Sequence, residues 1–364
     1  MTTSKFEINL TNSRKEKPNE ENLVFGRHFT DHMFVADYVK GMGWQNARIT
    51  PYAPISLDPA SIVFHYGQTV FEGLKAYRSK DQSIRLFRPE ENFKRLNRSL
   101  DRLCMPQIDE ANALEGLLEL LKVEEEWIPK LEGNSLYIRP FVIATEAFLG
   151  VAPATTYQFY IILSPVGSYY EEGIHPVKIL VENEFVRAVK GGTGGAKTAG
   201  NYASALKAQE TASSQGYSQV MWLDGVERKY VEEVGSMNIF FKIDGEVITP
   251  AINGSILEGI TRKSIIELLA HWGTPVTERK VSMDEIAEAH NSGKLEEVFG
   301  TGTAAVISPV GELNWNGKIM RINDGLTGEL SKKLYDALTK IQTGENEDPL
   351  NWITALSPTY EEIK

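Results

Sequence analysis

Apolar positions recur at helical spacing behind Pro89, at Phe93, Leu96, Leu100 and Leu103, and proline is suited to the first turn of a helix. Leu114, Leu117, Leu118 and Leu121 repeat the spacing and predict a second helix. The runs SLYIRPFVIAT (135–145) and YQFYIILS (157–164) are instead rich in aromatic and branched residues and predict strands. Alternation along the first of them puts Tyr137 and Arg139 on one face. Farther on, Asp244-Gly245 and Asn316-Gly317 sit between apolar runs and predict tight hairpins, so the second half is expected to be rich in antiparallel pairing. A helix over about 260–272 carries Ile265, Leu268, Leu269 and Trp272 on one face and stops at Gly273. Both periodicities are intermixed throughout, which predicts mixed α/β structure in each half. The pattern lapses at PVGSYYEEGIHP, whose glycine and proline content suits a connector. The expected division is a small N-terminal α/β domain over 1–165, a connector over 166–177, and a larger C-terminal domain over 178–364.

Composition changes this picture little. The 364 residues are 42% apolar and 24% charged, enough for two folded domains rather than a disordered chain. Lysine and arginine number 38 against 49 acidic residues, a net charge of -11 that repels nucleic acid and anionic membranes alike. The first residues lack an apolar leader, and no stretch approaches the roughly 20 apolar residues of a membrane span. A cytoplasmic protein is expected. The polar run over 12–22 is expected to be a solvated arm with nothing to bury. One cysteine, Cys104, rules out an intrachain disulfide, and its place in the apolar phase of the first helix predicts an inert, buried thiol. His28 and His32 stand four apart but bring no third ligand, and are expected to be structural.

The most unusual stretch is KGGTGGAKTAGNYA, 190–203, with five glycines within ten residues. Such a backbone can pass close to a bound group. Two readings compete. A phosphate-cradling loop of the G-x-x-x-x-G-K-[ST] kind has Gly191 in place but Ala196 where the second glycine belongs. QVMWLD (219–224) could supply a magnesium-holding aspartate, although Asp224-Gly225 followed by another strand-like run reads better as a plain turn. The alternative is that Lys197 carries a carbonyl cofactor. A free lysine has a pKa of about 10.4, and condensation with an aldehyde removes its charge near neutrality.

Lys197 does not stand alone. Tyr202 follows five residues later, Glu233 lies in YVEEVGSMNIFF, and Thr301 and Thr303 lie in VFGTGTAA. With HYGQTVFEGLKAYR (65–78), LFRPEENFKRL (86–96), LYIRP (136–140) and LEGITR (257–262), these segments resemble, in order and over most of the chain, the branched-chain amino acid aminotransferases. That family belongs to fold type IV of the pyridoxal-phosphate enzymes. Relatives of the same fold type, D-amino acid transaminase and aminodeoxychorismate lyase, usually have shorter chains and match these motifs less well.

The resemblance implies a two-domain fold with pyridoxal 5'-phosphate, Lys197 being its Schiff-base anchor and acid-base catalyst. It implies Glu233 on the pyridine nitrogen, Tyr202 on the ring oxygen, and Arg95, Thr301 and the backbone amides of Ile260 and Thr261 on the phosphate. A helix start at Ile260 suits that last role. It further implies Tyr137 and the amides of Thr303 and Ala304 on the substrate's α-carboxylate, with Arg139 and Tyr66 on the second carboxylate of glutamate. Phe71, Tyr66, Tyr169 and Ser236 would line the side-chain pocket, Ser236 also neighbouring the cofactor. The implied reaction moves the amino group of leucine, isoleucine or valine to 2-oxoglutarate, giving branched 2-oxo acids and glutamate. The loop over 148–151 and Tyr66 would serve the neighbouring subunit, so a homodimer is implied. Mammalian members carry a Cys-x-x-Cys pair where this chain has Ala305 and Ser308, and Ser236 stands where animal enzymes have threonine.

Overall fold

The computed structural model describes residues 6–168 and 174–356. They fall into two compact units, Met1–Ser168 with Ala196–Ala199 and Lys340–Lys364, and Tyr169–Gly195 with Gly200–Thr339. The division departs from the expected one. The first unit is the larger, because it reclaims the C-terminal segment and the four residues around Lys197.

In the first unit the strands are β1 (Glu7–Ile8), β2 (His32–Val39), β3 (Gly43–Pro51), β4 (Thr69–Phe71), β5 (Leu74–Arg78), β6 (Ile84–Phe87), β7 (Ser135–Ala144) and β8 (Thr156–Val166). They order as β1-β3-β2-β8-β7-β5-β6, with the C-terminal strand Ile353–Leu356 at the β6 edge and β4 paired to β7. All of these pairings are antiparallel except β1 with β3. Alternation sorts the sheet into two faces. Leu74, Ala76, Leu86, Leu136, Ile138 and Val142 join one core cluster with Phe93, Leu96, Leu100, Leu117 and Leu120 from the helices. Those helices are α2 (Pro89–Arg102) and α3 (Glu110–Val123), after the short α1 (Ile62–Tyr66). Gly116 shows how closely α3 approaches the sheet: a Cβ there would stand 2.5 Å from the ring of Phe34. The other face presents Phe71, Lys75, Tyr137, Arg139 and Phe141, since Phe71 lies opposite Phe141 and Lys75 opposite Tyr137.

One expectation fails in this unit and another is extended. Cys104 is exposed rather than buried. The helix stops at Arg102 because Cys104 takes the left-handed conformation, φ 55°. Its N–H bonds to the Asp101 carbonyl (3.0 Å) and that of Met105 to the Leu100 carbonyl (2.9 Å), a Schellman close normally built on glycine. The polar arm is solvated in its side chains, as its composition demands, yet its backbone is tied down. Asn9 N–H donates to the Ile49 carbonyl (2.9 Å), Thr11 N–H to His32 Nε2 (2.8 Å) and Lys15 N–H to Asp31 Oδ1 (2.8 Å).

In the second unit the strands are β9 (Val177–Val181), β10 (Gln219–Leu223), β11 (Val231–Val234), β12 (Asn238–Ile243), β13 (Glu246–Thr249), β14 (Val276–Glu278), β15 (Leu295–Gly302), β16 (Val306–Trp315) and β17 (Lys318–Arg321). The order is β11-β10-β9-β16-β15-β12-β13-β14, with β17 on β16. Antiparallel pairs outnumber the parallel ones, which are β9 with β10, β9 with β16, and β13 with β14. The two hairpins form where the sequence placed them. Asp244 and Gly245 have φ 51° and 81°, Asn316 and Gly317 φ 53° and 78°, the double left-handed turn whose twist matches the strands. The helices are α4 (Ala199–Ala203), α5 (Leu206–Ser214), α6 (Ile260–His271), α7 (Met283–Asn291) and α8 (Glu329–Thr343). Ala208 and Ala212 of α5 pack on Val220 and Trp222, and Met283, Ile286 and Ala289 of α7 join the cluster of Phe241 and Val298.

Candidate active site

In the first unit the lysine of the glycine-rich loop is held through its peptide. Lys197 N–H donates to Ser99 Oγ (2.9 Å), its carbonyl accepts from Phe71 N–H (3.0 Å), and Thr198 Oγ1 donates to the Thr69 carbonyl (2.7 Å). The backbone is thus pinned to α2 on one side and to β4 on the other. The Lys197 ammonium stands 4.9 Å from the centre of the Phe71 ring.

Beside it lies a buried ion pair. Glu72, 0% exposed, accepts from Arg95 Nε (2.7 Å) and NH2 (2.8 Å) and from Asn92 Nδ2 (2.8 Å). Burial pushes the Glu72 carboxyl upward, but the charges of Arg95 and Lys197 and the hydrogen bonds from Arg95 and Asn92 outweigh it and hold the group below its ordinary value. Arg95 is therefore buried against a carboxylate, not solvated, and Glu72 takes the Nε–NH2 fork of its guanidinium.

The open face of the sheet gathers the next set. Arg139 NH2 donates to Tyr137 Oη (3.0 Å), and the guanidinium lies over the rings of Phe71 (4.7 Å) and Tyr137 (5.3 Å). Tyr137 is accommodated by a missing side chain: a Cβ on Gly73 would stand 2.1 Å from its hydroxyl. Phe25, at the end of the N-terminal arm, sets its ring edge against Tyr137 at 4.8 Å. Lys75 lies opposite Tyr137 in the register, and burial lowers its ammonium to about 8. Tyr66 Oη donates to the Leu149 carbonyl, joining α1 to the loop over 148–151, where Phe148, Leu149 and Val151 are exposed.

In the second unit Glu233, 3% exposed, faces its own cation. Arg187 Nε lies 2.8 Å from Oε2, and Leu257 N–H donates to Oε1 (2.9 Å). Its neighbour Glu232 is buried too, accepting from Asn253 Nδ2 (3.1 Å) and Ser255 Oγ. Ile260 and Thr261 open α6 as expected, behind Gly259, and no side chain caps that terminus. Unoccupied by a cap, the first-turn N–H groups and the positive end of the helix suit an anion. Thr301 is buried in β15 and donates to the Val306 carbonyl (2.8 Å). Thr303 and Ala304 form the turn from β15 to β16, which closes on Val306 at φ 60°. A branched residue in that conformation stores on the order of 1–3 kcal/mol, and such strain concentrates where backbone amides are aimed at a ligand. Tyr202 is half-buried on α4, and Ser236 is exposed in the turn from β11 to β12. The glycine-rich loop is braced by Thr193 Oγ1 on Asn201 Oδ1 (2.7 Å) and by close backbone approach, since a Cβ on Gly194 would stand 2.1 Å from the Ser255 carbonyl. Tyr169 lies outside the described residues.

The nucleotide-binding reading fails on Asp224. Its carboxylate accepts the N–H groups of Val226 (3.2 Å), Glu227 (2.7 Å), Lys229 (3.0 Å) and Tyr230 (2.8 Å), so it closes its own turn. Among the described residues, no cluster of histidine, cysteine and carboxylates could hold a metal, and no helix is long and apolar enough to cross a membrane.

Residues 69–313 match the family model described as amino-transferase class IV. The chain belongs to the class IV aminotransferases. Branched-chain-amino-acid aminotransferase 2 of Bacillus subtilis (strain 168) is 63% identical over 361 residues, 99% of each chain. Branched-chain-amino-acid transaminase 1 of the same strain is 60% identical over 339 residues, 93% of this chain and 95% of that one. The crystal structure of the Escherichia coli branched-chain amino acid aminotransferase superposes with a TM-score of 0.73 at 27% identity, covering 89% of this chain and 98% of that one. The T.th. branched-chain amino acid aminotransferase with pyridoxamine 5'-phosphate gives 0.73 at 26% identity, covering 88% and 97%. The mixed α/β architecture is thus the fold type IV aminotransferase fold.

Four residues of this aminotransferase carry site geometry that sequence reasoning did not assign. Glu72 stood inside a quoted motif, and its signal was a carboxylate flanked by apolar residues in a strand-like run. Lys75 alternates with Leu74 and Ala76 in the same way. Arg187 sits between apolar residues three positions before Lys190, and nothing in its neighbours distinguishes it. Phe25, 51% exposed, lies just beyond the polar arm, and only its ring contact with Tyr137 marks it.

Proposed function

We propose that this class IV aminotransferase moves the amino group of leucine, isoleucine or valine reversibly to 2-oxoglutarate, with pyridoxal 5'-phosphate as cofactor, and acts in the cytoplasm as a homodimer. The observation that carries this reading is the seat of Lys197: its peptide is fixed by Ser99 and Phe71 while its amine stays beside a buried arginine-glutamate pair. The names of full-length relatives, all concerned with branched-chain amino acids, support the substrate class.

The residues present fit the cofactor. A protonated pyridine nitrogen needs a carboxylate beside it, and Glu233 is a buried carboxylate with a guanidinium counter-ion, Arg187, at 2.8 Å. An uncapped helix start at Ile260 and Thr261 suits a phosphate, and the family resemblance assigns Thr301 and Arg95 to the same group, the Arg95 guanidinium being oriented by Glu72. When bound, pyridoxal phosphate supplies an aldehyde that condenses with amines and a protonated ring that draws electrons from the substrate's α-carbon. Lys197 Nζ is the amine that would hold that aldehyde, and the same group is placed to carry the substrate's α-proton. Tyr202 would donate a hydrogen bond to the ring oxygen. Tyr137 Oη and the amides of Thr303 and Ala304 hold the α-carboxylate. The resemblance assigns the side-chain pocket to Phe71, Tyr66 and Ser236, where each buried methylene would contribute about 0.8 kcal/mol and an unpaired charge would be excluded. Arg139, with Tyr66, takes the second carboxylate of glutamate. The exposed apolar set Phe64, Phe148, Leu149 and Val151 supports burial against a second copy.

The test is a half-reaction. The holoenzyme's visible spectrum is recorded before and after L-leucine is added without a 2-oxo acid. Conversion of the yellow form with stoichiometric release of 2-oxoisocaproate is the expected result. A protein that stays colourless after incubation with pyridoxal phosphate refutes the cofactor assignment, and a yellow protein inert to leucine refutes the substrate class.

A further inference from the structure

The N-terminal arm is polar and exposed, yet it is tied to one buried cluster. Beyond Thr11 N–H on His32 Nε2 and Lys15 N–H on Asp31 Oδ1, the Lys15 ammonium donates to the carbonyls of Phe29 (3.2 Å) and Thr30 (2.8 Å). Glu20 Oε2 accepts from the N–H groups of Lys130 (2.8 Å) and Leu131 (2.7 Å). The chain then passes Leu23 and reaches Phe25, whose ring meets Tyr137.

His32 is 3% exposed, and its two ring nitrogens have opposite tasks. Nδ1 faces the carboxylate of Glu124, itself 1% exposed, while Nε2 accepts the Thr11 N–H at 2.8 Å. A nitrogen that accepts from an amide carries no proton, so the imidazole is neutral, with its hydrogen on Nδ1. A proton added at Nε2 would set two N–H groups against each other.

We propose that His32 is a proton-operated latch on the arm: neutral, it holds Thr11 and keeps Phe25 against Tyr137; protonated, it releases residues 9–22 and loosens that wall of the substrate pocket. The second half of this statement rests on the proposed role of Tyr137. The charged groups around the ring are Glu124 from the end of α3, Asp31 from the start of β2 and Lys15 from the arm, with the Glu125–Arg78 pair (3.7 Å) next along the chain from Glu124. Burial pushes the Glu124 carboxyl up, against the pull of His32. The two carboxylates favour an imidazolium once Thr11 has left, and the Lys15 ammonium opposes it. The closed arm binds one proton fewer than the open one, so closure is favoured as pH rises and opening grows as pH falls.

Hydrogen exchange of the holoenzyme at pH 7.5 and 5.5, corrected for intrinsic rates, reads the arm without reference to turnover. The Thr11 and Lys15 amides are expected to lose protection at least about tenfold at the lower pH while those of Glu110–Val123 keep theirs. His32→Gln offers an acceptor that cannot charge, and its arm is expected to keep the same protection at both pH values. The wild-type KM for L-leucine, taken relative to that of His32→Gln, should rise over the same interval with the kcat ratio unchanged. Equal wild-type protection at both pH values, the same loss in His32→Gln, or opening without a change in KM overturns the proposal. Should His32→Gln fail to fold, Glu124→Gln decides. It keeps an acceptor for Nδ1–H but removes the charge that favours imidazolium, so the opening midpoint falls by about one pH unit or more, and an unmoved midpoint overturns the latch. An arm that opens as described in a protein inert to leucine refutes the functional reading, not the titrating latch.

Discussion

Replacing Glu72 by glutamine tests the buried pair behind Lys197. The carboxylate is fully buried and receives Arg95 Nε at 2.7 Å, Arg95 NH2 at 2.8 Å, Asn92 Nδ2 at 2.8 Å and Gly73 N–H at 3.2 Å. Glutamine keeps the shape but turns one acceptor into an NH2 group facing a guanidinium, and it leaves that guanidinium buried without a counter-charge. Removing one partner of such a pair costs about 3–5 kcal/mol. At about 2–4 °C per kcal/mol for a unit of this size, the Tm of the cofactor-free protein should fall by about 6–20 °C. Differential scanning calorimetry at pH 7.5 reads this directly. The deficit should also depend on pH. The Glu72 carboxyl is held below its ordinary value in the fold, so its contribution is present above the unfolded value, about 4.3, and is lost as pH falls through the folded one. A double variant, Glu72→Leu with Arg95→Met, removes both charges and should cost less than the single change. A Glu72→Gln protein melting within about 2 °C of the wild type, or a double variant less stable than the single one, refutes the reasoning.

Lys197→Ala should lose at least about 10²–10⁴ in the rate of the leucine half-reaction while still folding, read by single-turnover absorbance and by circular dichroism. Gly73→Ala pushes the Tyr137 hydroxyl off its position, since the new Cβ would stand 2.1 Å from it; losing one hydrogen bond to a carboxylate, about 1.5–3 kcal/mol, should raise KM for leucine roughly 10- to 150-fold. Burial holds the Lys75 ammonium at about 8. The folded chain releases that proton before the unfolded one does, so wild-type stability should rise with pH from about 8 to 10.4, and Lys75→Met should abolish the rise in Tm measured across that window. Arg187→Leu leaves Glu233 buried without its cation; a drop in affinity for pyridoxal phosphate, with partial rescue by Arg187→Lys, is expected from equilibrium titration.

Local pattern was legible wherever backbone geometry had a residue-type signature. The Asp-Gly and Asn-Gly hairpins, the start of α6 at Ile260 and the shared face of Tyr137 and Arg139 all follow from turn chemistry and alternation. Cys104 was misread because periodicity continues through Leu103 while the helix does not. A non-glycine residue closes it in the left-handed conformation, and composition carries no mark of that choice. The exposure of the arm was legible but its anchorage was not, because that runs through backbone N–H groups of Thr11 and Lys15, which every sequence possesses, onto the acceptors His32 and Asp31. Domain limits were read from chain order, and the return of the last segment to the first unit is a strand pairing, Ile353–Leu356 on β6, that local pattern does not reveal.

The residues expected to do chemistry were legible singly, but each unit secures its buried charge as a pair. Arg95 is oriented by Glu72 in one unit, and Glu233 is paired with Arg187 in the other. A charge taken out of water without a partner would change protonation state or cost several kcal/mol. A site that needs a guanidinium for a phosphate, or a carboxylate for a protonated ring, must therefore carry a second charge that never meets the ligand. The partner's identity is set by this electrostatic requirement, and its position by whichever strand or loop passes within about 3 Å. That position is a tertiary fact: Glu72 lies 23 residues before Arg95 and Arg187 lies 46 before Glu233, with no spacing rule common to both. Motif reading accordingly finds the residue that the family resemblance assigns to the ligand and leaves its counter-ion to the structure.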